Sequence, residues 1–228
     1  MGYAVVVQKT RQLALSVSAQ WFFLGVSFFG SVWFWGRQLV DYSQSVEGLL
    51  LSFPLLGALS IAILATLALE DARQARQQRA LAWAVVWLYV SIFILNVAVV
   101  IAAISFGAQC KVLDGVVVAI AVATLLYAHA RKQLLPLRST GGRFWLGIAL
   151  KVMPQYGQGI RFLFGSAAIS FSSIGMLPLL ILCRLLPSYA RVCHDKNPAN
   201  LAAFNLVRYD FYCGIAVVGA WLFSQVYY

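Results

Sequence analysis

Long apolar runs, separated by short polar stretches, fill the chain from end to end. A helix needs about 20 mostly apolar residues to cross a hydrocarbon core of about 30 Å. No charge falls between Arg11 and Arg37, which predicts a first span over about Leu13–Trp35. The later runs predict spans at about Gly48–Leu69, Ala80–Phe106, Asp114–Ala130, Phe144–Ile160, Phe162–Leu186 and Leu201–Tyr228. These runs are continuous, unlike the alternating segments of about ten residues that build membrane barrels. The expected fold is all-α: a polytopic transmembrane helical bundle of seven spans, a single integral membrane domain over residues 1–228. Phe144–Ile160 is the weak span, because Lys151, Pro154 and three glycines interrupt it. Six spans remain if that segment lies in the interface or re-enters.

Composition moves the solvent from water to lipid. The chain is 62% hydrophobic and 11% charged, whereas a soluble domain is about 45–50% apolar and 25% charged. A chain of 228 residues cannot hide so much apolar surface from water. A soluble enzyme, a disordered protein and a disulfide-stapled secreted domain are therefore set aside. The polar loops are short, the longest being Glu70–Arg79, Arg131–Arg143 and Pro187–Asn200, so no soluble domain fits between spans.

Charge sets the expected orientation. With seven spans the N-terminus shares a side with the loops after spans two, four and six. That side carries Lys9, Arg11, Arg73, Arg76, Arg79, Arg131, Lys132, Arg138, Arg143, Arg184, Arg191 and Lys196, twelve in all. The other carries Arg37, Lys111 and Arg161, which is three. Cytoplasmic loops hold the Lys/Arg excess, so the N-terminus is expected on the cytosol-like side. With six spans the split shrinks to about eleven against five. The net charge of +10 raises nucleic acid as a partner. No basic cluster lies in a polar segment with stacking aromatics, so the bilayer is the expected partner and nucleic acid is not.

Signals at the N-terminus are incomplete. Gly2 suits myristoylation, but Val6 stands where Ser or Thr is wanted. Ser16-Val17-Ser18-Ala19 resembles a signal-peptidase site. The apolar stretch before it is short and strongly apolar sequence follows it, so the first run is expected to be a retained span.

Cys110, Cys183, Cys193 and Cys213 form no CxxC and are expected as free thiols, with no metal and no cofactor. The last span holds no Lys for a retinal Schiff base. Two histidines, seven carboxylates, and neither HExxH nor GxSxG argue against an intramembrane enzyme.

Polar groups inside lipid are costly and mark partners or cavities. Lys151 sits in IALKVMPQYGQGI, where Pro154 removes a backbone donor and Gly157 and Gly159 loosen the next turn. Broken helices near the membrane midplane expose backbone to substrate in many transporters. Lys151, Pro154, Gln155, Gln158 and Asn96 of span three are the candidate solute-binding residues. Arg208 and Asp210, two apart on a helix, cannot pair with each other. A gate is expected from Asp210 meeting Lys151, or from Arg208 meeting Asp114. Asn96 and Gln20 also suit plain interhelical hydrogen bonds. Gly115, Ala119 and Ala123 form a small-residue face on span four, which fits an internal contact or a partner subunit in an oligomer.

Two segments resemble the PQ-loop signature of the PQ-loop and SWEET transporters. They are GRQLVDYSQSVEGLLLSFPLL over Gly36–Leu56 and MPQYGQGIRFLFGSAAISFSS over Met153–Ser173. Ser45-Val46-Glu47-Gly48-Leu49 and Pro154-Gln155 are the closest matches, while Gly36-Arg37 occupies the Pro-Gln position of the first copy. The spacing from Ser45 to Ser166 resembles that family's three-plus-one-plus-three layout. The resemblance implies a small-polar-solute carrier whose cavity lies between two three-helix bundles, with Pro154 as a hinge. The alternative is a non-catalytic integral subunit, or an assembly or membrane-shaping protein, of a larger membrane complex.

Overall fold

A computed structural model describes residues 16–46, 49–75, 79–165, 170–194 and 197–228. Its elements are α1 (Val17–Gln44), α2 (Ser52–Gln74), α3 (Arg79–Ser105), α4 (Val112–Ala130), α5 (Thr140–Gly147), a π turn (Ile148–Val152), α6 (Met153–Leu163), α7 (Phe171–Ile174), α8 (Met176–His194) and α9 (Pro198–Tyr227). Among the described residues there is no strand, and six helices are long and apolar enough to cross a membrane. The fold is an all-α polytopic bundle. Lys9, Arg11, Glu47, Gly48, Arg76, Ser166 and Lys196, which entered the charge count or the motif, lie outside the described residues.

Local chemistry explains where the helices begin. Ser16 accepts from the Ala19 N–H at 3.2 Å, Ser139 from Gly142 at 3.0 Å and Asn197 from Asn200 at 2.8 Å. Each side-chain oxygen satisfies a backbone donor that the first helical turn leaves orphaned. Pro198 follows its cap at the first helical position, where its missing N–H costs nothing.

The charges misplace two predicted boundaries. α1 continues nine residues past the expected end at Trp35, to Gln44. Arg37 does not stop it, because Asp41 one turn on pairs with it at 3.2 Å. Arg161 likewise lies in the last turn of α6 rather than before a new span, and its guanidinium donates to the Phe164 carbonyl at 3.3 Å. The following long helix therefore begins at Met176, not near Phe162.

The segment Thr140–Leu163 is helical throughout and runs the full length of the bundle. At its start, Arg138 and Arg143 meet Asp71 at 2.6 and 3.3 Å, at the C-terminal end of α2. Beyond its end, Ser170 donates to Asp41 at the C-terminal end of α1, and Tyr228 donates to the Leu163 carbonyl. α1 and α2 run antiparallel, so these ties lie at opposite ends. With this segment the bundle has seven helical passes.

The passes fall into two triplets with the same internal order. α3 packs between α1 and α2; α9 packs between α8 and the α5–α6 segment. The triplets meet through α1 with α8, and through α2 with the π turn and α6. First pass meets sixth, and second meets fifth, as a two-fold relation between the halves requires. α4 joins the triplets and lies against the α5–α6 segment. Four passes, an even number, precede the second triplet's first helix, so the two repeats are parallel.

Candidate functional site

The π turn builds the site. Pro154 has no N–H to give the carbonyl four residues back, and its ring crowds that carbonyl. The chain widens instead: the Met153 N–H reaches the Ile148 carbonyl, five residues back. π turns inside α-helices recur at functional positions, and here Lys151 rides on the widened turn. Its ammonium forms an ion pair with Asp210 of α9. The Lys151 side chain keeps 26% exposure, whereas Asp210 keeps 2%.

A cavity of about 70 Å³ opens beside Lys151. That exceeds the roughly 10–15 Å³ that one water needs. Ser31, Phe34 and Trp35 of α1, Phe53, Gly57, Ser60 and Ile61 of α2, and Ile92 and Asn96 of α3 form one wall. Leu150 and Lys151 of the π turn, Gln155 of α6, and Leu177, Leu180, Ile181 and Arg184 of α8 form the other. Both triplets therefore supply the lining, and α4 and α9 do not.

The polar lining shares one depth. Ser31, Ser60, Asn96, Lys151 and Arg184 each lie within four residues of the midpoint of their helical segment. At 1.5 Å per residue that is about 6 Å or less along the axis. Apolar stretches extend to both sides, which sets these groups at mid-depth in the bundle.

Two lining amides keep acceptors free. Asn96 is fully buried and its amide donates to the Ile92 carbonyl at 2.8 Å, which leaves Oδ1 without a hydrogen bond. Oε1 of Gln155, also buried, has no partner among the described residues. An unpaired buried acceptor costs about 1–3 kcal/mol, and a solute donor or water in the cavity would remove that cost.

Of the expected binding residues, Lys151, Gln155 and Asn96 line the cavity. Pro154 is buried but does not line it; it acts through the π turn. Gln158 lies elsewhere. Its Oε1 accepts from the Leu50 N–H at 2.9 Å, just before α2. Asp114 joins it there, accepting from the Ser52 N–H at 2.7 Å and from the Lys111 N–H at 2.9 Å. Asp114 thus caps α2 and α4 together, and a carboxylate at two helix N-termini complements both dipoles.

The expected gate divides accordingly. Asp210 meets Lys151. Arg208 does not meet Asp114: its guanidinium lies 5.9 Å from the Phe204 ring centre and 5.6 Å from that of Tyr209. Gly157 and Gly159 do not loosen the helix; both are buried, facing Val117 of α4 and Val217 of α9. The small-residue face of α4 resolves as well. Gly115, Ala119 and Ala123 are exposed, so this face makes no internal contact.

Arg184 is the residue that sequence reasoning missed. It entered the charge count as a loop cation, yet it sits in the ninth position of α8 and lines the cavity. The available signal was its own neighbourhood, LPLLILCRLLP, a charge with apolar sequence on both sides.

Outside the cavity, polar ties join the triplets at each end of the bundle. Asp41 accepts from the Ser170 N–H and hydroxyl at 3.0 and 2.9 Å, while Arg37 donates to the same hydroxyl at 3.2 Å. At the far end Glu70 and Asp71 pair with Arg138, and Asp71 also with Arg143. The hydrogen bond that Arg138 donates to Asp71 raises the Arg138 pKa above its ordinary value. No family model matches the sequence, and comparison with curated proteins and with solved structures finds no match.

Proposed function

We propose that the protein is a small-solute carrier of PQ-loop-like architecture, working by alternating access between its two triplets. The observation that carries this reading is the cavity on the seam between the triplets, lined from both sides by polar groups at mid-depth. Transporters built from structural repeats hold their substrates near the midplane at the repeat interface. The resemblance over Met153–Ser173 implies the same layout, a cavity between two three-helix bundles. The seam is closed at one end by Asp41 and Ser170, and at the other by Asp71 with Arg138 and Arg143. In this reading the two clusters part in turn. The N-terminus faces the cytosol, following the basic excess on its side. The test is uptake of a panel of labelled small solutes into vesicles holding the purified protein. Uptake of one solute that Lys151→Ala removes is expected; unchanged uptake in a folded Lys151→Ala protein counts against the carrier.

A second reading, a non-catalytic subunit of a membrane complex, draws on the exposed Gly115, Ala119 and Ala123 face of α4. Small residues let a partner helix approach closely. Purification in mild detergent separates the two: stoichiometric partners that stay with the chain favour the subunit.

A further inference from the structure

Building on the carrier reading of the cavity, we infer that its solute is a small organic anion whose carboxylate is held by Arg184. The fixed charges around the cavity do not cancel. Lys151 is matched by Asp210. No Asp or Glu lines the cavity, and among the described residues no carboxylate pairs with Arg184. An unmatched cation near the bilayer midplane is costly, and such residues mark substrate and ion pathways. The planar fork of a guanidinium fits a carboxylate with two parallel N–H···O bonds. Because Asp210 already holds Lys151, Arg184 is the cation left to receive a charged solute.

The rest of the lining describes the remainder of the solute. Oδ1 of Asn96 and Oε1 of Gln155 are unpartnered acceptors and call for donors. The Ser31 and Ser60 hydroxyls, both in buried residues, add groups of either polarity. Trp35 and Phe53, stacked with ring centres 5.8 Å apart, supply an apolar wall. An acid group, a hydroxyl or ammonium beside it and a short apolar part satisfy all three. The volume of about 70 Å³ keeps the solute small. A small hydroxy acid or amino acid has this chemistry. Inorganic phosphate shares the fork contact but offers nothing to the aromatic wall.

The experiment follows thermal unfolding of the full-length protein in detergent with lactate, serine, inorganic phosphate, glucose or choline. A ligand that binds the folded state raises the melting temperature in a saturable way. Lactate or serine is expected to do so, and glucose and choline are not. Arg184→Gln should weaken that binding tenfold or more without lowering the melting temperature of the unliganded protein, because it removes a cation that has no partner. Arg184→Lys, which keeps the charge and loses the fork, should fall between. The inference is overturned if neither lactate nor serine stabilises the protein, if phosphate alone does, if glucose or choline does so equally, or if Arg184→Gln binds as tightly as the parent. Uptake by the same preparation separates this inference from the one beneath it. Carboxylate binding without vesicle uptake overturns the carrier and leaves the anion site standing. Glucose uptake without carboxylate binding overturns the anion site and leaves the carrier standing.

Discussion

Lys151 and Asp210 pair within one half of the molecule. The π turn and α9 both belong to the second triplet, so the triplets can separate without breaking the pair. Under the carrier reading this ion pair acts as a brace rather than a gate. It fixes the widened turn against α9 and holds the Lys151 ammonium at the cavity wall. Beside it the buried Cys213 thiol donates to the Val152 carbonyl at 3.7 Å, a second tie between the same elements.

Removing one partner should hurt more than removing both. Lys151→Ala leaves the Asp210 carboxylate buried without its counter-charge, a change that costs about 3–5 kcal/mol. Replacing the pair together by Met and Leu keeps volume and leaves no lone charge, an exchange that is often neutral or stabilising. The double variant is thus expected to melt near the parent temperature in detergent, and the single variant well below it. Equal melting of the two would mean that the pair does not couple the π turn to α9.

Asp114 should matter for stability and not for transport. Its two oxygens take backbone N–H groups from Ser52 and Lys111. Hydrogen bonds to a charged group contribute about 1.5–3 kcal/mol each, and the bonded N–H groups belong to two different helix starts. Asp114→Ala is expected to lower the melting temperature and leave the solute affinity of the remaining folded protein unchanged. Loss of affinity at full stability would return Asp114 to the binding site.

Gly157 lets α6 approach α4 closely. A Cβ there would overlap Cγ2 of Val117. Overpacking of this kind costs about 1–3 kcal/mol, so Gly157→Ala should destabilise, and Val117→Ala in the same chain should recover much of the loss. Gly115 faces outward with nothing within 4 Å of a built Cβ. Gly115→Ala is the matched control and should leave the stability within about 1 kcal/mol of the parent.

Hydropathy alone reveals six of the passes, because each presents a long apolar length; the Thr140–Leu163 pass, broken by Lys151 and Pro154, is seen in its contacts at the two ends of the bundle. Boundaries set by charge were less legible. Arg37 reads as a span end until Asp41 is seen to pair with it one turn on, and Arg161 reads as a break until its contact with the Phe164 carbonyl makes it a helix terminus. The link between Pro154 and Lys151 was readable, since a missing N–H must disturb the turn before it. The roles of Gln158 and Asp114 were not. Both serve backbone donors at the start of α2, and no local pattern shows which distant N–H groups fall within reach. Arg184 is illegible for a different reason: a basic residue near a span end reads as a loop cation, and only the packing of α8 shows that it faces the cavity.

The cysteines give a direct reading of the threading. Cys110 is exposed in the connection between α3 and α4, at the end of the bundle that holds the C-terminus of α1. Cys193 is half-buried in the last turn of α8, at the opposite end if Thr140–Leu163 crosses the bilayer, and Cys213 is buried in α9. With the N-terminus in the cytosol, an impermeant maleimide added to intact cells should label a variant that keeps only Cys110. A variant keeping only Cys193 should react once the membrane is opened, and one keeping only Cys213 should resist labelling in both conditions. Should Cys193 react in intact cells together with Cys110, Thr140–Leu163 does not cross, and six spans replace seven. Should Cys110 resist while Cys193 reacts, the bundle is inverted and the basic connections around Arg131 and Arg138 face outward. Either result would separate the helical packing, which stands on its own contacts, from the orientation that charge assigns to it.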